Sequence, residues 1–266
     1  MDLVNFQQAG LTIAGKTLLK DISFQMAKGE HVGVIGPSGA GKSTFLNLLL
    51  GFLKPTEGTV SLFERNLADI SVSELEDLRM NMGMLFQTNA LFSEWSVYEN
   101  IAFPIRYHFG LPEHIISTMV KLKLDSVGLR GAQSLMPSEL SGGMARRVSL
   151  ARAVALDPMF LVYDEPFTGQ DPVTKSNLKQ LMRKLHRQYE VSSLIVSHDI
   201  QDLSEIVDRM IVIWKGKIVA SGTVEEVMQS KDQQVIDFIS GKSPLEQMGV
   251  EGSSGLMEDI LETQHD

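Results

Sequence analysis

The sequence predicts an α/β fold with a mainly parallel sheet, and three observations support this prediction. Short apolar runs rich in β-branched residues alternate along the chain with segments whose apolar residues recur at helical spacing. A glycine-rich loop joins one apolar run, 31–35, to a helical segment, 43–53. Further along, two apolar runs flank Lys215 and Gly216, which is typical of a hairpin. We therefore expect helices packed on a parallel sheet, with antiparallel strands near both ends.

The individual elements follow from the same patterns. Strands are predicted at 20–24, 31–35, 82–87, 160–163, 192–197, 210–214 and 217–220. Helices are predicted at 43–53, 73–80, 175–189 and 201–207, with Ser73 as the cap of the second and Glu76 three residues later. Between 96 and 156 the pattern is mostly helical, and a helical subdomain is expected at about 90–156.

Composition and charge narrow the class of protein. The chain has 266 residues, 43% hydrophobic and 21% charged, which is enough apolar material for a sizeable core. Its formal charge of −9 argues against a nucleic-acid partner. The absence of cysteine excludes thiol nucleophiles and cysteine-ligated metals. We expect neither a signal peptide nor a membrane-spanning helix, so action at a membrane would require a partner.

The chain is expected to divide into one large domain, 1–230, and an acidic C-terminal extension, 231–266. In the extension Asp and Glu far outnumber Lys, and a Gly-Ser-Ser-Gly stretch interrupts it. Two short amphipathic pieces remain, 235–239 and 256–261, of which the first could dock on the domain.

The glycine-rich loop has the pattern of a phosphate-binding loop, G-x-x-x-x-G-K-[ST]. Its glycines let backbone N–H groups approach phosphate oxygens, and the helix that follows adds its positive end. Lys42 is expected to reach the β- and γ-phosphates of ATP, and the Ser43 hydroxyl to bind Mg²⁺. The candidate ATP-binding residues are Gly36, Pro37, Ser38, Gly39, Ala40, Gly41, Lys42, Ser43 and Thr44.

A pair of carboxylates, Asp164 and Glu165, ends the apolar run 160–163. Adjacent carboxylates at a buried strand end repel each other and lose solvation, and a bound Mg²⁺ would compensate for both effects. We therefore expect Asp164 to hold the metal, directly or through water. Glu165 is expected to orient or deprotonate the attacking water.

The segment Leu-Ser-Gly-Gly-Met at 140–144, hereafter the signature loop, resembles the signature of the ATPases of ABC transporters. This resemblance implies a P-loop ATPase domain with an antiparallel β subdomain and a helical subdomain. It also implies a homodimer in which each signature loop completes the ATP site of the other copy. The residues expected to contact ATP in this way are Ser141, Gly142, Gly143 and Met144.

Other motifs of this family appear in the same order. Gln87 matches the glutamine that contacts Mg²⁺ and water, and His198 matches the histidine that contacts the γ-phosphate. With Glu165 they form the expected catalytic set. Gly169, Gln170 and Asp171 match the loop that meets the opposite protomer. The aromatic residue on which many members stack adenine is missing, because its place falls near Ile13 or Ala14.

Segments 84–104, 127–147 and 164–172 resemble the branch of the family that drives phospholipid transport and maintains outer-membrane lipid asymmetry in Gram-negative bacteria. Met144 and Gln170, unusual in the wider family, agree with this branch. The resemblance implies two permease subunits, an MCE-domain lipid-binding protein and a small STAS-domain protein as partners. It implies a peripheral location on the cytoplasmic face of the inner membrane. We expect Leu91, Phe92, Trp95 and Tyr98 either to line a groove for a permease helix or to pack in the core.

Several alternatives are weaker. Another ABC importer or exporter would use the same ATPase. A soluble ABC-type regulator usually carries two cassettes or a long coiled-coil insertion, and this chain shows neither. A P-loop kinase or GTPase would leave the signature loop, Glu165 and His198 without roles. A Ser-His-Asp hydrolase lacks its G-x-S-x-G elbow, and a noncatalytic scaffold would lack Glu165. The basic cluster Arg146, Arg147 and Arg152 is expected to form ion pairs within the domain or at an interface.

Overall fold

The computed structural model describes residues 2–241 as an α/β unit with two sheets. Within these residues the strands are β1 (Asp2–Ile13), β2 (Lys16–Ala27), β3 (His31–Ile35), β4 (Glu57–Leu62), β5 (Arg65–Asn66), β6 (Met82–Leu85), β7 (Phe160–Asp164), β8 (Ser192–Ser197), β9 (Arg209–Trp214) and β10 (Lys217–Thr223). The helices of the same part of the chain are α1 (Lys42–Leu49), α2 (Val72–Met80), α3 (Val97–Phe109), α4 (Glu113–Ser126), α5 (Gly142–Ala153), α6 (Pro172–Tyr189), α7 (Ile200–Leu203), α8 (Val224–Met228) and α9 (Gln233–Ile239), with a 3₁₀ turn at Pro137–Glu139.

The larger sheet is mainly parallel, as predicted. Within residues 2–241 its strand order is β10-β9-β3-β8-β7-β6, and every neighbouring pair is parallel except β10 with β9. The second sheet, β2-β1-β4-β5, is antiparallel and is built near the N-terminus. Since parallel strands share a direction, the carboxyl ends of β3, β7 and β8 lie along one edge of the larger sheet.

Both faces of the parallel sheet are covered by apolar side chains. Along β7, Leu161 and Tyr163 face the core that contains helices α3 to α6, whereas Phe160 and Val162 face α1 and the antiparallel sheet. This alternation is the two-residue period of a strand, and continuous apolar runs are typical of parallel sheets buried on both sides. The sheet is thus packed on both faces, and the loops at its carboxyl edge begin at strand ends that are anchored in the core.

Some element boundaries differ from the predicted ones. Helix α1 ends at Leu49 and not at 53, because Gly51 adopts a φ of 69° that breaks the helix. Helix α2 is capped by Ser71, not Ser73, and a reciprocal pair of hydrogen bonds joins Ser71 and Glu74. The sequence offers the same Ser-x-x-Glu spacing twice, two residues apart, so the pattern could not choose between them.

The long strand β1 has no counterpart among the predicted elements. Its pairing with β2 shifts register between Phe6 and Ala9 and again before Leu11, and Gln8 has a φ of 48°. Each shift resets which side chains face the core, so the apolar residues do not alternate regularly. Because of this irregularity, the sequence of β1 does not show the two-residue period that predicts a strand.

The last described element, α9, packs on the main core. Val235 is fully buried, and Phe238 and Ile239 pack against the same apolar cluster, so the first amphipathic piece docks on the domain. The rest of the acidic extension from 242 onward, including the piece 256–261, lies outside the described residues. In the described part of the chain, no helix combines the length and apolar character needed to cross a membrane.

Candidate active site

A cleft of about 460 Å³ opens at the carboxyl edge of the parallel sheet, where ligands of α/β folds usually bind. It brings together residues that are far apart in sequence: Lys42, Gln87, the pair Asp164 and Glu165, and His198. The full lining is Leu18, Ser38, Gly39, Gly41, Lys42, Ser43, Thr44, Gln87, Asp164, Glu165, Thr168, Val196 and His198. The remaining residues of the predicted ATP-binding set, Gly36, Pro37 and Ala40, shape the loop from behind this wall.

The loop 36–43, hereafter the phosphate loop, is fixed by close packing and by Lys42. A Cβ atom at Gly36 would lie 2.1 Å from the carbonyl oxygen of Ile213, so only glycine fits there. The Lys42 ammonium donates hydrogen bonds to the carbonyl oxygens of Gly36 at 2.6 Å and Pro37 at 3.0 Å. Burial lowers the pKa of Lys42, and the charges of Glu165 and Asp164 partly offset this effect.

Asp164 is the last residue of β7 and is only partly compensated by nearby cations. Burial raises the pKa of its carboxyl group, and the neighbouring charge of Glu165 raises it further. Lys42 and Arg146 act in the opposite direction. The direction of the shift shows that the cleft disfavours negative charge at this position when only protein groups are present. Additional positive charge in the cleft would therefore be stabilising.

Glu165 is held in a single orientation by two side chains. Its Oε2 atom lies 2.7 Å from Nδ1 of His198 and accepts a hydrogen bond from the Thr168 hydroxyl at 3.0 Å. With an ionised Glu165, His198 donates this hydrogen bond from Nδ1. The backbone of Glu165 has a φ of 48°, a conformation that non-glycine residues rarely adopt. No sequence pattern marks Thr168 as a contact of Glu165, because the family motif that contains it is recognised by other positions.

The signature loop lies in a second, separate pocket. This pocket has a volume of about 170 Å³ and shares no lining residue with the cleft. Ser141 caps helix α5, since its hydroxyl accepts a hydrogen bond from the backbone N–H of Met144 at 3.2 Å. Ser141, Gly143 and Met144 line the pocket. Ser141 and Gly142 are exposed. The structure therefore does not bring the signature residues to the phosphate loop of the same chain.

The residues 169–171 connect the site to helix α6. Gly169 has a φ of 74°, and Asp171 caps the helix by accepting hydrogen bonds from the backbone N–H groups of Val173 and Thr174. The pKa of Asp171 is lowered, mainly by its hydrogen bond with the Thr174 hydroxyl. Gly169 and Asp171 are exposed and Gln170 is partly exposed. The loop is thus a rigid, solvent-facing turn.

The structure decides between alternatives for two groups of side chains. Arg146 and Arg152 form no ion pair among the described residues; their guanidinium groups donate to backbone carbonyl oxygens. Leu91 and Tyr98 do not line the apolar groove beside α3 but pack against the main core. The groove, of about 350 Å³, is lined in part by Phe86, Phe92, Phe103 and Pro104. An arginine that donates to distant backbone carbonyls has no sequence pattern of its own, and neither has an aromatic residue that lines a groove.

The wall of the cleft includes Leu18 but neither Ile13 nor Ala14. Within residues 2–241, no Phe, Tyr or Trp belongs to this wall. Ile13 is 46% exposed at the end of β1. The missing aromatic residue noted in the sequence is thus also missing from the wall around the phosphate loop.

The parallel sheet and the phosphate loop at its carboxyl edge define a P-loop nucleotide-binding domain. A family model described as ABC transporter matches residues 19–168. The chain belongs to the ABC transporter family, and it is an ATP-binding subunit with the fold of an ATPase of this family.

Relatives with known names agree with this assignment. The chain is 45% identical over 228 residues to the intermembrane phospholipid transport system ATP-binding protein MlaF of Haemophilus influenzae, covering 86% of each chain. It is 40% identical over 240 residues to MlaF of Escherichia coli K12, covering 90% of this chain and 89% of that one. A probable ribonucleotide transport ATP-binding protein, mkl, of Mycobacterium tuberculosis is 36% identical over 241 residues, 90% of this chain and 67% of that protein.

Solved structures show the same fold. The protein cbiO1 from Clostridium perfringens, part of the ABC transporter complex cbiONQ, superposes with a TM-score of 0.80 at 28% identity, covering 91% of this chain and 96% of that one. A dimeric ATP-binding cassette bound to ADP and Pi in a post-hydrolysis state superposes with a TM-score of 0.74 at 28% identity, covering 83% and 98%. The predicted α/β fold of an ABC ATPase is therefore confirmed.

Proposed function

We propose that this chain hydrolyses ATP in the cleft at the phosphate loop and thereby drives phospholipid transport, as one of two identical ATPase subunits. The observation that carries the catalytic part is the convergence of the phosphate loop, Gln87, Asp164, Glu165 and His198 on one cleft. The similarity to MlaF over most of the chain carries the choice of phospholipid as cargo.

The phosphate loop and helix α1 bind the triphosphate in this proposal. Helix α1 begins at Lys42, so its free N–H groups and its positive end face the cleft. Lys42 exchanges its bonds to the carbonyl oxygens of Gly36 and Pro37 for bonds to phosphate oxygens. Burial makes the charge of Lys42 costly, so its pairing with an anionic phosphate is correspondingly favourable.

The oxygen donors of the cleft fit Mg²⁺. A hydroxyl from Ser43, a carboxylate from Asp164 and an amide oxygen from Gln87 line the same cleft, and Mg²⁺ prefers such ligands together with substrate phosphates. Bound Mg²⁺ would supply the positive charge that neutralises the β- and γ-phosphates. The raised pKa of Asp164 supports this assignment, because a cation there would relieve the repulsion between the two carboxylates.

Glu165 positions or deprotonates the water that attacks the γ-phosphate. Its Oε2 is held by His198 and Thr168, which leaves Oε1 as the free oxygen for a water molecule. When His198 donates to Glu165 from Nδ1, it can donate to the γ-phosphate only if the ring rotates or if Nε2 is also protonated. Gln87, on the other side of the cleft, orients the same water.

The second half of each site comes from the other copy of the chain. Ser141, Gly143 and Met144 line a separate pocket. Helix α5 begins at the exposed Gly142, so a phosphate from a partner would meet the N-terminus of a 12-residue helix. The turn 169–171 contacts the partner in the same arrangement. Closure of the dimer on ATP and its opening after hydrolysis supply the mechanical stroke.

The stroke is passed to membrane subunits through the apolar groove beside α3. We place a permease helix in this groove, because Phe92 and Phe103 are 45% and 38% exposed there. The partners are two permease subunits, an MCE-domain lipid-binding protein and a small STAS-domain protein. The chain is then peripheral on the cytoplasmic face of a bacterial inner membrane. The acidic extension 231–266 has no role in this proposal.

Two substitutions test the ATPase site. Glu165→Gln should retain ATP binding and trap a closed dimer while turnover falls by about 1,000-fold or more. Lys42→Ala should lose ATP affinity instead. Size-exclusion chromatography with ATP and a phosphate-release assay measure the two effects. Near-normal turnover in both variants would reject the site.

Affinity purification from the native membrane tests the cargo. Recovery of a permease with MCE-domain and STAS-domain proteins, followed by ATP-dependent movement of labelled phospholipid between vesicles, supports the proposal. Recovery of a different permease would keep the ATPase and reject the phospholipid cargo. Recovery of ribosomal proteins or DNA without a membrane protein would favour a soluble regulator.

A further inference from the structure

Arg146 lies in the first turns of α5, directly after the signature loop. It lines part of the signature-loop pocket, and its guanidinium group extends into the domain. The residue is 2% exposed, unusually low for an arginine. Its burial by itself requires hydrogen-bond partners, since a buried cation without them is strongly unfavourable. Those partners turn out to be backbone atoms beside the residues assigned to catalysis.

Every nitrogen of the Arg146 guanidinium donates to a backbone carbonyl oxygen. Nε donates to Pro166 at 3.1 Å, and Nη2 donates to Glu165 at 3.0 Å. Nη1 donates to Phe86 at 2.7 Å and to Gln87 at 2.8 Å. One side chain thus joins the backbone of Gln87 to the backbone of Glu165, and joins both to helix α5.

Two further residues on the same face of α5 hold only one of these segments. The Ser149 hydroxyl donates to the Asn89 carbonyl at 2.7 Å, and Arg152 donates to the carbonyls of Ala90 at 2.8 Å and Asn89 at 3.3 Å. Neither reaches the end of β7. Attachment of the segment 86–90 to α5 is therefore shared by several residues, whereas the link to Glu165 depends on Arg146.

We propose that Arg146 is a positioning residue for ATP hydrolysis: it sets the distance between Gln87 and Glu165 across the cleft and ties both to the helix that carries the signature loop. This inference rests on the proposed function of the cleft. Gln87 and Glu165 must approach one water molecule from different elements, so their relative placement controls the rate. An error of about 1 Å in such a placement can cost a hundredfold in rate.

Geometry makes the guanidinium difficult to replace. Arginine offers five N–H donors in a rigid planar fork, whereas lysine offers one nitrogen on a flexible stem. A lysine at 146 could reach the carbonyls of Phe86 and Gln87 or those of Glu165 and Pro166, but not both pairs at once. The structure also contains the physical link by which movement of the signature helix, imposed by a partner's nucleotide, would reach the water-orienting groups of the same chain.

The test compares Arg146→Lys and Arg146→Gln with the matched control Ser149→Ala in the purified full chain. We expect kcat for ATP to fall by about tenfold or more in both Arg146 variants. KM and the dissociation constant for ATP should change by less than about threefold, because the phosphate loop is untouched. Ser149→Ala should keep kcat within about twofold of the wild type.

A double-mutant cycle separates positioning from general stabilisation. If Arg146 acts through Gln87, Arg146→Gln should lower kcat in a Gln87→Ala background by only about threefold or less. Equal effects of Arg146→Gln with and without Gln87 would overturn the proposal. The proposal would also be overturned by a normal kcat together with a lowered melting temperature, or by circular dichroism spectra showing that neither Arg146 variant folds. Each of these results would assign Arg146 a purely stabilising role. Activity lost in Glu165→Gln but unaffected in the Arg146 variants would reject this inference and leave the proposed function intact.

Discussion

The phosphate loop and the signature loop are both rich in glycine and both precede a helix, but their glycines are required for different reasons. A Cβ atom at Gly36 would lie 2.1 Å from the Ile213 carbonyl oxygen, so the fold of this chain demands glycine there. A Cβ atom at Gly142 would meet no described atom within 4 Å, and one at Gly143 would meet only a methyl group of Thr174 at 3.7 Å. The first loop is shaped by its own chain, and the second is not.

If the signature loop completes a composite site as proposed, this difference teaches how an intermolecular requirement would show itself in a single subunit. Glycine in a helix is less favourable than alanine by up to about 1 kcal/mol, so its presence needs a reason. At Gly36 the reason is visible as packing. At Gly142 no reason is visible within the described residues, and the small side chain leaves room in front of a helix N-terminus. The space is what a phosphate held by a second copy would occupy.

The largest effect is expected at the phosphate loop. Gly36→Ala would force the loop away from β9 and would require a φ of 153°, so we expect it to lower the free energy of unfolding by about 3 kcal/mol or more and to abolish ATP binding. Thermal melting and nucleotide titration measure both effects. In the control, Gly39→Ala, the new Cβ meets nothing and only a φ of 77° is unfavourable, at about 1 kcal/mol. Equal losses in the two variants would contradict the packing argument.

The signature loop should respond in the opposite way. Gly142→Ala should leave the melting temperature within about 2 °C of the wild type, because the added Cβ is unopposed in the subunit. Turnover should nevertheless fall by about tenfold or more, since the methyl group would stand between the loop and the partner's phosphate. Gly131→Ala, also unopposed but outside the loop, should change neither quantity. Normal turnover in Gly142→Ala would remove the case for a composite site.

A third substitution separates function from stability within the cleft. Asp164 has a raised pKa, so its ionised form destabilises the folded state at neutral pH, and the stability present at low pH is lost as pH rises through the folded pKa. Asp164→Asn removes this charge in the same shape. We expect the free energy of unfolding at pH 7 to stay equal or rise by about 1 kcal/mol, while turnover falls by about 100-fold or more.

Denaturant unfolding and phosphate release measure these two changes. The control is Asp171→Asn, where the pKa is lowered by helix-capping hydrogen bonds and the substitution should therefore lower stability. If Asp164→Asn unfolds more readily than the wild type, the carboxylate is paired in the folded state and the argument for a cation in the cleft fails.

Motifs with a fixed spacing were predictable from the sequence, and contacts between motifs were not. The pattern around Lys42 predicted both the loop and its place between β3 and α1, because glycine, lysine and serine at those spacings serve a local purpose. The strand ends at Asp164 and at Ser197 followed from apolar runs. The family resemblance, and not the spacing, linked Gln87 and His198 to the same site.

The misplaced expectations have a common physical cause. The sequence neighbours of Arg146 reveal only its charge, which favours ion pairs, whereas its partners are backbone carbonyl oxygens 19 to 60 residues away along the chain. The hydrogen bond from Thr168 to Glu165 was not predictable for the same reason, since it depends on the conformation of the turn between the two residues. Backbone acceptors are present at every residue, so no side-chain pattern marks which of them a distant group will use.

The smallest expected effect is a pH dependence of stability, which determines the pH at which variants of the two loops should be compared. At the opposite end of the sheet the rings of His31 and His186 stack 4.2 Å apart, and His186 Nε2 lies 3.1 Å from the Tyr163 hydroxyl. Burial, with a smaller contribution from His31, lowers the pKa of His186 to about 3. Burial also lowers the pKa of His31, although Asp208 opposes this shift.

Because the folded pKa of His186 lies below its unfolded value, its contribution to stability is present above pH 6.5 and is lost as pH falls toward 3. We expect the wild type to lose about 1 kcal/mol between about pH 7.5 and 5.5 through this residue, a fall of about 3 °C in melting temperature. His186→Gln, which keeps a polar partner for Tyr163, should flatten this dependence, whereas His114→Gln on the surface should not. If His186→Gln leaves the slope of stability against pH unchanged, the acid sensitivity arises elsewhere. The stability difference between Gly36→Ala and Gly142→Ala would then have to be measured across the whole pH range before it could be assigned to packing.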